Sequence, residues 1–198
     1  PVKGVIDLGL TKFVQSSIDE AEKNEAKVIV FDIDTPGGEV SAAVELSNKI
    51  LATKIPTISF INNEATSAGV ILAISSDDIF AVARATIGAA ETRPKEEKYI
   101  SYWSSKLRNA AELTGRDPKL VAAMADADIV IEGVKEKGKI LSLTTSEALK
   151  LGLVDKEVSD INELIKEVAL SGKLDELKTV NVQMRLSDRI AHMATNPY

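Results

Sequence analysis

The segment Lys27–Ile33 (KVIVFDI) constrains the fold of this chain more than any other stretch. It is apolar and β-branched for most of its length. It lacks the alternation of a strand with one wet face, so it predicts a strand covered on both sides. Thr35-Pro36-Gly37-Gly38 breaks it. Glu39–Thr53 then predicts a helix, with Val40, Ala43, Val44, Leu46 and Ile50 along one side. The same alternation recurs nearby. Val2–Ile6 reads as a short strand, Leu10–Asn24 as a helix, Thr57–Ile61 as a strand, Val70–Ser75 as a helix and Asp78–Val82 as a strand. Strands and helices in alternation give a parallel sheet with right-handed crossovers, an α/β fold.

The second half continues with helices over Tyr99–Thr114 and Pro118–Ala125, the latter with proline in its first turn. Ile129–Leu143 holds two β-rich pieces around Lys135-Glu136-Lys137-Gly138, which predicts a hairpin. Thr144 and Glu147 have the spacing of a capping box, opening a short helix that Gly152 ends. Asp160–Ala169 is a further amphipathic helix. The pattern then changes, dividing the chain into a domain over 1–171 and an appendage over 172–198. The appendage is a polar connector and a short helix whose apolar face is Leu186, Ile190 and Met193.

Composition removes whole classes of chemistry. The 198 residues carry a net charge of −6 with both signs interspersed, so no basic stripe points to nucleic acid. With no cysteine there is no thiol nucleophile, disulfide or cysteine-ligated metal. The one histidine, His192, precludes a multi-histidine metal site and leaves a serine triad a single base to use. No phosphate-binding or dinucleotide glycine motif is present, and no cofactor or metal is expected. No run is long enough to span a membrane. The chain opens at Pro1, as expected of a processed or excised segment, so a signal peptide or membrane region would lie outside it.

Three features carry candidate chemistry. Thr35-Pro36-Gly37-Gly38 follows a buried strand, and paired glycines let backbone N–H groups approach a ligand. It is either an oxyanion hole and peptide-binding edge or a plain strand-to-helix turn. Ala65-Thr66-Ser67-Ala68-Gly69 surrounds a serine with the small neighbours that a nucleophile elbow needs. It is equally a helix start with Ser67 as N-cap. Lys98 stands at a helix entry after the charged stretch Glu91–Glu97, where a lysine is ordinarily exposed. To act as a base it would have to be desolvated and neutral. Asp32, Asp34 and the Asp77-Asp78 pair read as solvated, capping or turn residues.

Taken in order, Ile33–Gly38 (IDTPGG), Ala65–Gly69 (ATSAG), Ala85–Ala90 (ATIGAA), Glu97–Asp117 and Leu141–Asp155 (LSLTTSEALKLGLVD) make the chain resemble the NfeD-type membrane-bound serine proteases. These are the stomatin operon partner proteins, relatives of the Clp protease and signal peptide peptidase A. The resemblance covers nearly the whole chain and implies a Clp-protease/crotonase-like spiral of parallel sheets with flanking helices. It makes Ser67 the nucleophile and Lys98 the catalytic lysine, which Gly115 follows by 17 positions as in the family pattern. Lys95 and Lys106 fit that spacing less well. Gly38 and Ala68 match the oxyanion-hole positions, and Gly37, Gly38 and Thr66 the substrate edge. The chain departs from the pattern at Thr66, at Arg84-Ala85 in place of Pro-Gly, and in the aromatic run Tyr99–Trp103.

The function so implied is a Ser–Lys endopeptidase that cleaves an apolar segment of a stomatin- or flotillin-like membrane protein. The resemblance also implies a homo-dimer or larger homo-oligomer. The protein would be anchored in a membrane through segments outside this chain, with the catalytic domain on the extracytoplasmic side. Glu91–Glu97, charged and poor in apolar anchors, is expected to order only with substrate. The terminal helix is expected to lie next to the bilayer or to fold back on the domain. Two other functions share the architecture: a non-enzymatic scaffold that binds such a partner, and an acyl-CoA crotonase. A crotonase has no use for a serine nucleophile.

Overall fold

The computed structural model describes residues 1–172 and 178–184. The predicted helix bearing Leu186, Ile190, His192 and Met193 lies outside them. The elements of the first half are β1 (Val2–Lys3), α1 (Leu8–Lys23), β2 (Ile29–Thr35), α2 (Val40–Ala52), β3 (Thr57–Thr66), α3 (Gly69–Ile74) and β4 (Asp78–Ala81). They are followed by β5 (Thr86–Gly88), α4 (Glu97–Leu113), α5 (Pro118–Ala122), β6 (Ser142–Thr144), α6 (Thr145–Lys150), β7 (Lys156–Glu157) and α7 (Ile161–Ser171). The main path of the sheet is β1-β2-β3-β4-β7, parallel throughout. This is the parallel α/β architecture the alternation predicts, with β2 an internal strand between β1 and the central β3.

The sheet does not stay flat. Between Ile33 and Thr35 the register against β3 slips, so that Ile33 faces Ile61 while Thr35 faces Ala65. The extra residues in β3 bend it. Its first half, through Ile61, pairs with β4; its last three residues, Glu64–Thr66, pair with β5. Asn63 pins the bend by donating to the Asp34 carboxylate at 3.0 Å. β5 in turn pairs antiparallel with β6. The sheet thus splits at the end of β3, and the β3–α3 junction lies in the split. Helix α3 (GVILAI) is apolar all round and every residue of it is buried, as a short central helix must be.

The local end signals work as read. Thr144 and Glu147 form a complete capping box. Asp117 caps α5, with Pro118 in its first turn. Arg116 is buried. Its guanidinium donates to the carbonyls of Ser76 (2.9 Å) and Asp77 (3.1 Å) and to the Asp155 carboxylate (3.1 Å), which itself accepts from Ile79 N–H. The Gly-Arg pair after α4 is therefore a structural clamp onto β4.

One expectation fails. Residues 129–143 form no two-stranded hairpin: within the segment there is a single bridge between Ile131 and Lys135, and Ser142 and Leu143 pair with β5 instead. Lys135 is 5% exposed and its ammonium donates to the carbonyls of Asp126, Ala127 and Ile129. Three carbonyls gathered on one cation organise this segment in place of a β-ladder. Burial pulls the Lys135 pKa below the usual lysine value.

Candidate active site

The loops after β2, β3 and β5 converge on Ser67. Ser67 has φ +56, a left-handed conformation that costs an L-residue energy unless its surroundings hold it. They do: its N–H donates to Gly88 O at 3.0 Å, and its own carbonyl accepts Val70 N–H at 3.1 Å. Ser67 is not the N-cap of α3. Ala68 takes that position and no side chain caps the helix. The helix-cap reading of the ATSAG segment therefore does not hold: the serine sits half-buried on a strained strand-to-helix turn.

The backbone around it is equally unusual. Gly37 (φ +105), Gly88 (φ +138) and Ala89 (φ +51) also lie on the positive side. A Cβ on Gly37 would sit 2.5 Å from Ser67 Cβ and 3.0 Å from Ser67 Oγ, so glycine is required there. Gly38 pairs with Ile6 in a parallel bridge in which Ile6 N–H donates to Gly37 O and Glu39 N–H to Ile6 O. In such a bridge the N–H of the middle residue points to the opposite side. The Gly38 N–H accordingly has no acceptor among the described residues, and neither has the Ala68 N–H. Gly38 is exposed. Thr66 faces Gly88 across the β3–β5 ladder, and its hydroxyl is tied to Glu64 at 2.7 Å.

Downstream of β5 the strap Gly88–Ala90 is fixed from behind. Ala89 N–H donates to Leu141 O and Ala90 N–H to Met124 O. Trp103 of α4, 2% exposed, donates its indole N–H to Ala90 O at 2.8 Å. The sequence marks this aromatic run as unusual but does not show that it anchors the strap.

Lys98 is not assembled with the serine. It lies in the first turn of α4, its side chain 66% exposed. Its Nζ pairs with Glu96 at 3.1 Å and lies 4.7 Å from the Tyr99 ring centroid. No hydrogen bond joins it to Ser67. The remaining acidic candidates are structural: Asp32 pairs with Lys3 at 2.7 Å, and Asp77 accepts both the N–H and the hydroxyl of Thr57 at 2.8 Å. Two cavities elsewhere, of about 430 and 150 Å³, include no residue of this site.

A fold with these loops has known counterparts. The chain is 29% identical over 203 residues to the membrane protein NfeD1b of Bacillus subtilis, covering 100% of this chain and 46% of that one. It is also 29% identical over 204 residues to a membrane-bound protease of Pyrococcus horikoshii, covering 89% of this chain and 43% of that one. The chain thus spans less than half the length of these two relatives. Among solved structures, it resembles the P. horikoshii membrane protease specific for a stomatin homolog, with 28% identity, a TM-score of 0.71 and coverage of 98% and 96%. A serine-to-alanine mutant of a stomatin-specific protease of this kind matches at 27% identity and TM-score 0.72, covering 84% and 81%. A lysine-to-alanine mutant, in complex with a substrate peptide, matches at 24% and 0.77, covering 98% and 94%. ClpP1 of Listeria monocytogenes shares the fold at 18% identity and TM-score 0.62, covering 82% and 92%. The model of the NfeD1b N-terminal domain matches residues 1–176, and the chain belongs to that family, on a Clp-protease-like fold.

Proposed function

We propose that this domain is a serine endopeptidase in which Ser67 is the nucleophile, Lys98 the general base, and the N–H groups of Gly38 and Ala68 the oxyanion hole. The observation that carries the reading is Ser67 itself. A non-glycine residue held at φ +56, with Gly37 packed on its Cβ, is backbone strain concentrated at one hydroxyl. Two N–H groups beside it have no partner among the described residues. Such groups are suited to charge that appears only during reaction.

In the reaction, Ser67 Oγ bonds to the scissile carbonyl carbon while its proton passes to an unprotonated Lys98 amine. The carbonyl electron pair moves onto oxygen and is held by Gly38 and Ala68 N–H, each worth about 2.7–4 kcal/mol in comparable sites. Collapse breaks the C–N bond, and Lys98 returns the proton to the leaving amine. Water then hydrolyses the acyl ester by the same route. Lys98 must leave Glu96 and approach Ser67 for this, and a peptide laid along Gly37, Gly38 and Thr66 would order Glu91–Glu97 and bring it in.

The substrate in this reading is an apolar segment of a stomatin- or flotillin-like membrane protein, supported by the specificity named for the Pyrococcus protease. Membrane anchorage through segments beyond this chain is supported by the relatives' names; no helix among the described residues is long and apolar enough to cross a membrane. An extracytoplasmic active site and a homo-dimer or larger assembly belong to the same reading. So does the division at residue 171, although Val182 and Met184 of the connector rest half-buried against the core. The exposed Lys98 is the observation that favours the alternative, a non-enzymatic scaffold.

A fluorophosphonate probe that carries an apolar peptide, and so can order Glu91–Glu97, separates the two. It forms an Oγ–P bond to an activated serine, expels fluoride and gives up the serine proton to the base. Labelling of the wild type, lost in Ser67→Ala and slowed at least about 10²-fold in Lys98→Ala, is expected. A wild type that is not labelled, or a Lys98→Ala variant labelled at the full rate, refutes the dyad.

A further inference from the structure

Thr35 closes β2 and is 0% exposed. A threonine hydroxyl has one proton to give and lone pairs to receive, and here both functions are engaged. Oγ1 donates to Gly4 O at 2.6 Å and accepts Gly37 N–H at 3.1 Å. The Gly37 carbonyl lies 3.5 Å from the same oxygen, so the single proton goes to the much closer Gly4. With Gly37 N–H turned inward to Thr35 and Gly37 O held by Ile6 N–H, both polar groups of residue 37 are fixed. The Gly38 N–H shares a peptide plane with Gly37 O and points away from Ile6; Thr35 fixes the residue about which that plane turns.

The rest of the side chain reaches the other half of the site. A Cβ on Gly69, the first residue of α3, would meet Thr35 Cγ2 at 2.6 Å. The methyl is thus pressed against the turn that carries Ser67 and Ala68. One buried side chain touches the segment after β1, the Gly37–Gly38 loop and the start of α3. The register slip between Ile33 and Thr35 sets Thr35 opposite Ala65, two residues before the serine.

We propose that Thr35 is a positioning residue: its hydroxyl sets the direction of the Gly38 N–H relative to Ser67, and so determines how well the oxyanion hole fits the reaction. The inference rests on the serine-peptidase reading above and adds a residue to it that contacts no substrate.

The test uses the same peptide-bearing fluorophosphonate probe at increasing concentration, so that the maximal labelling rate and the half-saturating concentration are read separately, together with thermal unfolding of each variant. Thr35→Val keeps the shape and the methyl contact but deletes the hydroxyl. Thr35→Ser keeps the hydroxyl and deletes the methyl. The maximal rate of Thr35→Val should fall about 10- to 100-fold, short of the loss from deleting a donor outright, with half-saturation changed less than about threefold. Thr35→Ser should unfold at a lower temperature yet label within about threefold of wild type. Thr35→Val leaves Gly4 O and Gly37 N–H unpaired and should also unfold at a lower temperature. The distinguishing readout is therefore a fall in maximal rate per folded molecule at nearly unchanged half-saturation, which a merely structural role would not produce. A folded Thr35→Val labelled at the wild-type rate overturns the proposal. So does a Thr35→Ser as slow to label as Lys98→Ala, and this second arm decides the matter if Thr35→Val does not fold. If the wild type is not labelled at all, the peptidase reading fails first.

Discussion

Replacing Gly37 by alanine perturbs the site through one carbon atom. That Cβ would stand 2.5 Å from Ser67 Cβ, 3.0 Å from Ser67 Oγ and 3.1 Å from Ala68 N. Non-bonded carbons settle at about 3.5–4.0 Å, so roughly 1 Å or more of separation has to be found. Residue 37 cannot readily supply it, because its N–H is held by Thr35 and its carbonyl by Ile6. The serine turn must move instead. Alanine also has to adopt φ +105, a strain of about 1–3 kcal/mol, and overpacking adds about 1–3 kcal/mol. The expected loss of stability is about 2–6 kcal/mol, measured by urea unfolding followed through the fluorescence of Trp103, the only tryptophan. A nucleophile displaced by about 1 Å loses on the order of 10²-fold in rate, so fluorophosphonate labelling of the folded variant should slow by at least that factor. A Gly37→Ala protein that is folded and labelled at the wild-type rate would show that the contact is not what sets the serine.

Two further substitutions separate scaffold from chemistry. Arg116→Met removes a buried guanidinium from four backbone carbonyls and from Asp155. It should cost about 3 kcal/mol, the low end for a broken buried pair because Asp155 keeps 43% exposure, while labelling per folded molecule stays unchanged; a selective loss of labelling would place Arg116 in the site. Glu147 accepts the N–H and hydroxyl of Thr144, and these bonds hold its carboxyl below the usual glutamate range. A depressed carboxylate contributes stability above its unfolded-state pKa and loses it as pH falls through the folded-state value. Glu147→Ala should therefore be less stable than wild type at neutral pH, with the gap closing on acidification; circular-dichroism melts across that range showing a constant gap would contradict the assignment.

The features legible in the sequence are those set by near neighbours. The apolar run of β2, the glycine pair after it, the capping box at Thr144 and Glu147 and the proline that opens α5 all act over a few residues, and all stand where their local chemistry puts them. The serine could be singled out by its small neighbours. Its left-handed backbone could not, because Gly37 and Gly88, 30 and 21 residues away, enforce it. Thr35 was hidden for the same reason: its hydroxyl acts on Gly4, across 31 residues. β5 escaped because three residues give no periodicity, and it exists only because β3 bends to meet it. The hairpin expected around Lys135 failed because a lysine in a charged run reads as exposed, and nothing local reveals three carbonyls waiting for its ammonium.

The two halves of the proposed dyad are held in opposite ways, and this limits what can set the rate. Ser67, Gly37, Gly88 and Ala89 are all locked in positive φ by hydrogen bonds and contacts from the segment after β1, from β2 and β5, and from the segment before β6. Strain of this kind persists only where the surroundings over-determine it, so the proposed nucleophile and oxyanion donors would be in place before substrate arrives. Lys98 has one exposed ion pair, of a type worth about 0–1 kcal/mol. Drawing it away from Glu96 therefore costs little. The larger cost is removing the ammonium from water, which a bound apolar segment covering the strap would supply. The helix that bears the lysine is tied to the strap at Ala90 by the Trp103 indole. In the proposed mechanism a peptide laid along Gly37, Gly38 and Thr66, the last of which pairs with Gly88 of the strap, would act on the same helix that has to deliver the base. An apolar substrate would then do more than fit the site: by excluding water around Lys98 it would complete it, whereas a polar peptide of equal length would leave the serine positioned but without a base.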